Sequence, residues 1–112
     1  MKISTHATDG VTILNLEGKL DTATSGQASE EINTILEEKP PKLLLNLGEL
    51  EFVSSAGLRV LLRTAKTVKE QNGGMKVCSA KGVVKEVMDI SGFDTLLELY
   101  ESEQEALSAF ES

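Results

Sequence analysis

The sequence predicts an α/β domain built on a central mixed, mostly parallel β-sheet with about four helices. Three observations carry this. The runs "KLLLNL" (residues 42–47) and "MKVCSA" (residues 75–80) are short and largely apolar, as strands covered on both faces are. Between and after them, apolar residues recur at three- and four-residue steps, the period of a helix packed on one side. Strands that alternate with helices are joined by crossovers, and crossovers make neighbouring strands parallel.

The elements follow in order. "MKIST" and "VTILNLEG" flank Asp9-Gly10, a strong hairpin signal, so two antiparallel strands are expected at about residues 2–7 and 11–17. In "GKLDTATSGQASEEINTILEE", Ala28, Ile32, Ile35 and Leu36 fall on one helical face, with Thr22 or Ser25 available as cap. Pro40-Pro41 should end that helix. After "KLLLNL", residues 48–54 read as a loop. Leu58, Leu61, Leu62, Ala65 and Val68 then mark a helix of roughly 14–16 residues, stopped by a left-handed cap in Asn72-Gly73-Gly74. "MKVCSA" is the next strand. Val83, Val84, Val87 and Met88 share a face of a third helix ending at Gly92. "TLLELY" is a short strand candidate, and "SEQEALSAF" a terminal helix with a Ser102–Glu105 capping box. The predicted order is β-β-α-β-α-β-α-β-α. No linker, repeat or low-complexity tract interrupts it, so residues 1–112 form a single domain.

Composition narrows the function. Aromatic residues are only 4%, so the core must rest on Leu, Val and Ile. A net charge of −7 argues against nucleic acid and against an anionic membrane surface as partners, while leaving basic protein partners open. The single cysteine, Cys78, has no partner for a disulfide and lies in an apolar strand, the setting of a buried structural thiol. No signal-peptide core and no apolar run of about 20 residues is present, so a cytoplasmic setting is expected.

Catalytic chemistry is hard to find. His6 is the only imidazole and lies on the first strand. No His/Cys/Asp set has metal-ligand spacing, and Gly73-Gly74 precedes a strand instead of following one, which is the wrong order for a phosphate loop. The junction "FVSSAGL" (residues 52–58) places two hydroxyls between an apolar stretch and a helix. A nucleophile elbow needs glycine two residues either side of the serine; Ser55 has Val53 and Gly57, and Ser54 has Phe52 and Ala56. A helix N-cap is the simpler reading. The same helix end also favours negative charge, so a phosphoryl group on Ser55 could lie over the amides of Gly57 and Leu58, with Gly57 leaving the backbone open.

Four segments bear a resemblance beyond periodicity. "EGKLDTATS" (17–25) resembles the Gly-Glu-Leu/Ile-Asp element of the anti-sigma factor antagonists, whose fold is the STAS domain. "LLLNLGELEFVSSAGLRVLL" (43–62) is similar to that family's strand, aromatic-apolar-Asp-Ser-Ser/Thr-Gly-Leu junction and second helix. "VVKEVMDISGFDTLLELYESEQEAL" (83–107) resembles its third helix and tail, and "GGMKVCSA" its intervening strand. The resemblance implies a STAS-type fold and a regulator, not an enzyme. It implies that Ser55 is the phosphoacceptor of an anti-sigma factor serine kinase, with Ser54 as a second candidate. Ser54 stands where the family has Asp, and Ala56 where it often has Ser or Thr.

The expected partner surface comprises Asp21, Thr22, Ser25, Ser54, Ser55, Ala56, Gly57 and Arg59. Binding would release a sigma factor, and phosphorylation would end it. No cofactor or metal of its own is implied; ATP belongs to the kinase. A serine phosphatase is a further expected partner. Arg59, Arg63 and Lys66 form a stripe, either a solvated face or a site for phosphoserine or partner carboxylates. Two other readings stand beside this one: an interaction module in another signalling or lipid-linked assembly without a phosphoswitch, and a serine-nucleophile enzyme.

Overall fold

The structure is a computed structural model that describes residues 1–92 and 97–111. Strand β1 (Lys2–Thr8) turns through Asp9 and Gly10, at φ 50° and 79°, into β2 (Val11–Leu20). Two consecutive positive φ values are what a tight hairpin requires. β2 runs three residues beyond the expected Glu17 because Gly18, at φ 104°, accommodates a register shift.

Helix α1 (Ser25–Leu36) buries Ala28, Ile32 and Leu36. Its N-cap position is Thr24, so neither Thr22 nor Ser25 fills that role. The helix closes at Leu36, and Lys39 is left-handed at φ 51°, a shape consistent with Pro40 barring the helical one. Strand β3 (Lys42–Asn46) follows, with Leu43, Leu44 and Leu45 fully buried. Its neighbours are β2 and β5, both parallel, so the continuous apolar run is the centre of the sheet.

The expected loop at residues 48–54 contains a further strand, β4 (Leu50–Val53), parallel to the far end of β2. Gly48 N donates to Asn46 Oδ1 at 2.9 Å, which turns the chain out of β3 and toward β4. Helix α2 (Ser55–Glu70) buries Leu58, Val60, Leu61, Thr64 and Val68. It ends in a Schellman motif: Asn72 is left-handed at φ 64°, Asn72 N donates to Lys69 O at 3.0 Å, and Gly73 N donates to Val68 O at 2.8 Å.

Strand β5 (Gly74–Cys78), helix α3 (Gly82–Ile90), strand β6 (Glu98–Tyr100) and helix α4 (Glu103–Phe110) complete the chain. On α3, Val84 and Met88 are buried, but Val83 is 50% exposed and does not share their face. The first residues of the "TLLELY" strand candidate lie outside the described residues. Ser102 Oγ caps α4 by accepting from Glu105 N at 3.1 Å.

The strand order is β1-β2-β3-β5-β6, with β4 paired to β2. One sheet face, carrying Leu14, Leu16, Leu43, Leu45 and Val77, packs on α1, α2 and α3. The other carries Val11, Ile13, Leu44 and Cys78 and packs on Ala106 of α4. Cys78 is buried there, and burial pushes its thiol pKa up. No helix among the described residues is long and apolar enough to cross a membrane.

Candidate functional site

The start of α2 is held against β2 by backbone contacts. Ser54 is extended (φ −95°, ψ 177°), and its N–H donates to Leu20 O at 3.0 Å. Its Oγ accepts from Gly57 N at 3.2 Å, and its carbonyl accepts from Leu58 N at 2.9 Å. Ser54 is therefore the cap of α2, and Ser55 is the first helical residue.

This division separates the two hydroxyls. Ser54 is half-buried and its Oγ is engaged. Ser55 is exposed, and its Oγ makes no hydrogen bond among the described residues. An aspartate in place of Ser54 would cap equally well, because both side chains accept from the same amide. Serine at this position, where the family the chain resembles carries aspartate, therefore keeps the cap and lacks one negative charge.

The amides expected to hold a phosphate are already used. Gly57 N serves the Ser54 hydroxyl and Leu58 N the Ser54 carbonyl. Nor is Gly57 open to approach from outside. It is buried, and a Cβ there would fall 2.4 Å from Leu20 O and 2.9 Å from Val53 Cγ2. Its missing side chain lets α2 lie directly on β2.

The turn before α1 lies beside this helix end, because Asp21 follows the Leu20 carbonyl that binds Ser54. Asp21 Oδ1 accepts from Ala23 N at 3.0 Å and Thr24 N at 3.1 Å. Thr24 Oγ1 accepts from Asp21 N at 2.9 Å and donates to Lys19 O at 2.8 Å. The carboxylate thus shapes its own turn, which leaves Thr22 and Ala23 exposed.

A groove of about 290 Å³ joins the two helix starts, lined by Ser25, Gly26 and Ser29 of α1 and by Ala56, Arg59 and Arg63 of α2. It brings together four of the residues singled out in the sequence, Ser25, Ala56, Arg59 and Arg63. Gly26 and Ser29 were not anticipated; on a helix wheel they are merely polar positions. Phe52 was anticipated only as part of the junction motif, yet on β4 it is 38% exposed beside the Ser54 cap. Among the described residues no group of His, Cys, Asp or Glu could hold a metal ion.

Comparisons with known proteins bear on the family and the fold. The family model of the STAS domain matches residues 2–106. BtrV of Bordetella bronchiseptica, named as a candidate anti-sigma factor antagonist, is 34% identical over 112 residues, 100% of this chain and 97% of its own. The anti-sigma F factor antagonist of Paenibacillus polymyxa is 31% identical over 103 residues, 91% of this chain and 88% of its own. The crystal structure of an anti-sigma factor antagonist from Mycobacterium paratuberculosis superposes with a TM-score of 0.91 at 24% identity, covering 99% of this chain and 94% of that one.

Proposed function

The chain belongs to the STAS domain family, and we propose that it acts as an anti-sigma factor antagonist switched by phosphorylation of Ser55. Unmodified, it binds an anti-sigma factor serine kinase in the cytoplasm and so frees a sigma factor. Its contact surface is the start of α2 with the Thr22–Ser25 segment and Phe52. The chain is a regulator, and the ATP chemistry belongs to the partner. In the transfer, Ser55 Oγ attacks the γ-phosphorus of kinase-bound ATP, ADP leaves, and the hydroxyl proton is released. A serine phosphatase would restore the hydroxyl by hydrolysis.

The observation that carries this reading is the split between the serines. Ser55 offers a free, exposed hydroxyl at a helix start, while Ser54 is committed to the cap. Phosphorylation adds a charge of about −1.5 to −2. At a helix N-terminus that charge is tolerated locally, since the helix dipole contributes about 0.3–1 kcal/mol in its favour. The switch therefore acts at the interface, where a dianion must lose water against the partner.

The test compares Ser55→Ala and Ser55→Asp for binding to the anti-sigma factor kinase encoded in the same genome. Ser55→Ala should bind like the unmodified protein, and Ser55→Asp at least tenfold more weakly. Equal dissociation constants would refute the interface mechanism. Mass spectrometry after incubation with kinase and ATP should place one phosphate on Ser55, and none on Ser54.

A further inference from the structure

We infer that the groove between α1 and α2 is a docking site for an acidic segment of the partner, read by Arg59, Arg63 and Lys66. This rests on the partner-binding role proposed above and names the chemistry of the partner it selects. The groove is longer than the stretch at the helix starts. A second stretch of about 280 Å³ shares Ser29, Val60 and Arg63 with it and continues past Lys66 to Glu70. From Arg59 to Lys66 the α2 wall spans about 10 Å.

Its charges are unspent. Arg59, Arg63 and Lys66 are exposed, and none forms an ion pair among the described residues, where the paired lysines are Lys76 and Lys85. The carboxylates bordering the groove are Glu30 and Glu70. Glu31, also on α1, is held by Gln27 Nε2 at 2.9 Å. Cations thus outnumber the lining carboxylates along one wall of a chain whose formal net charge is −7. A ligand that gains from this wall must be anionic, and it escapes the repulsion that the rest of the surface would exert on it.

Spacing refines the ligand. Arg59 and Arg63 are one helical turn apart, about 6 Å along the axis. Carboxylates at four-residue spacing on a partner helix match that interval. Arginine can hold each of them with two parallel hydrogen bonds. The opposite wall is low: a Cβ at Gly26 would meet nothing within 4 Å, and Ser29 follows one turn later. Room exists for a second chain. On α2 the groove begins at Ala56, the residue after Ser55. Arg59 lies one turn beyond Ser55, so a phosphate on Ser55 would repel the acidic segment and compete with it for Arg59.

The experiment is an NMR amide-shift titration of the full chain with a synthetic 15-residue helical peptide carrying glutamates at four-residue spacing. A peptide with lysines at those positions is the control. The glutamate peptide should shift the amides of Ser29, Val60 and Arg63. Its affinity should fall at least fivefold from 50 to 200 mM salt. The Arg59→Glu/Arg63→Glu variant should lose at least tenfold in affinity, and Arg59→Lys/Arg63→Lys should retain most of it. No shifts at those amides, shifts mapped elsewhere, or equal binding of the lysine peptide would overturn the inference.

A second arm separates it from the broader proposal. Against the anti-sigma factor kinase, Arg59→Glu/Arg63→Glu should raise the dissociation constant at least tenfold with Ser55 intact. If that variant binds like wild type while Ser55→Asp does not, the groove assignment falls and the phosphoswitch stands. If neither variant weakens binding, both fall.

Discussion

Gly57→Ala should unfold the start of α2 more readily, although alanine is the better helix former. The new methyl would lie 2.4 Å from Leu20 O, 2.8 Å from Leu20 Cγ and 2.9 Å from Val53 Cγ2. Leu20 O is backbone and cannot rotate away, so the helix must back off. Moving it lengthens the Ser54 N to Leu20 O bond, now 3.0 Å. Overpacking of this kind costs about 1–3 kcal/mol, and a weakened hydrogen bond about 1 kcal/mol more. The propensity gain is at most about 1 kcal/mol and smaller in a first turn. The net loss is about 2 kcal/mol. With an unfolding entropy of about 2.1 cal/mol/K per residue, that lowers Tm by about 8 °C. In urea the midpoint should fall by about 1 M at an unchanged slope. Gly26→Ala supplies the control, since nothing lies within 4 Å of its Cβ, and it should leave stability unchanged or raise it by about 0.5 kcal/mol. If Gly57→Ala melts at or above wild type, the close approach of α2 to β2 is not what requires glycine, and the argument fails.

Two further outcomes follow from the same structure. Ser54→Ala removes the cap and should cost about 1 kcal/mol in urea denaturation, whereas Ser54→Asp should recover most of it; an equal loss in both would mean the cap is not what Ser54 contributes. At the other end of the sheet, Glu98 is bonded to Lys76 and to Tyr100, and the Lys76 hydrogen bond above all lowers its pKa. Its contribution to stability is therefore present above the ordinary carboxylate range and is lost as pH falls through the lowered value. An NMR titration should find the Glu98 midpoint below the ordinary 4.5 and find it raised in Lys76→Met; an unchanged midpoint in that variant would refute the assignment.

The sheet was legible wherever a segment carried a period or an unbroken apolar run. Leu43 to Leu45 announced the central strand, and the helical steps of α1 placed Ala28, Ile32 and Leu36 on its buried face. On α2 they placed Leu58, Leu61 and Val68 correctly, but Leu62 is 36% exposed, and Val60 and Thr64 are buried instead. β4 escaped because it has four residues and its two middle positions, Glu51 and Phe52, are exposed, so it shows neither alternation nor a continuous run. Val83 was assigned to the buried face because one residue of offset in a nine-residue helix moves a side chain by about 100°. At the site, residue order predicted that a serine would cap α2 but could not choose between Ser54 and Ser55, since the choice depends on where Leu20 O stands across the sheet. The role of Gly57 was misjudged for a similar reason. A glycine at a helix start reads as exposed backbone until the strand beneath it is located.

The separation of the capping hydroxyl from the exposed one has a consequence for the phosphoswitch proposed above. A phosphate on the capping serine would have to replace the Ser54 Oγ contact with Gly57 N, and helix start and interface would change together. On Ser55 it leaves that contact and the Ser54 N to Leu20 O bond in place. A domain of this size is stable by only about 5–15 kcal/mol, so a modification that disturbs the α2–β2 junction draws on a small reserve. One confined to the exposed first residue of the helix can cost several kcal/mol in the complex and almost nothing in the free protein. On the proposed mechanism fold and affinity are governed by adjacent but different hydroxyls, so substitutions at Ser54 should act chiefly on stability and those at Ser55 chiefly on binding.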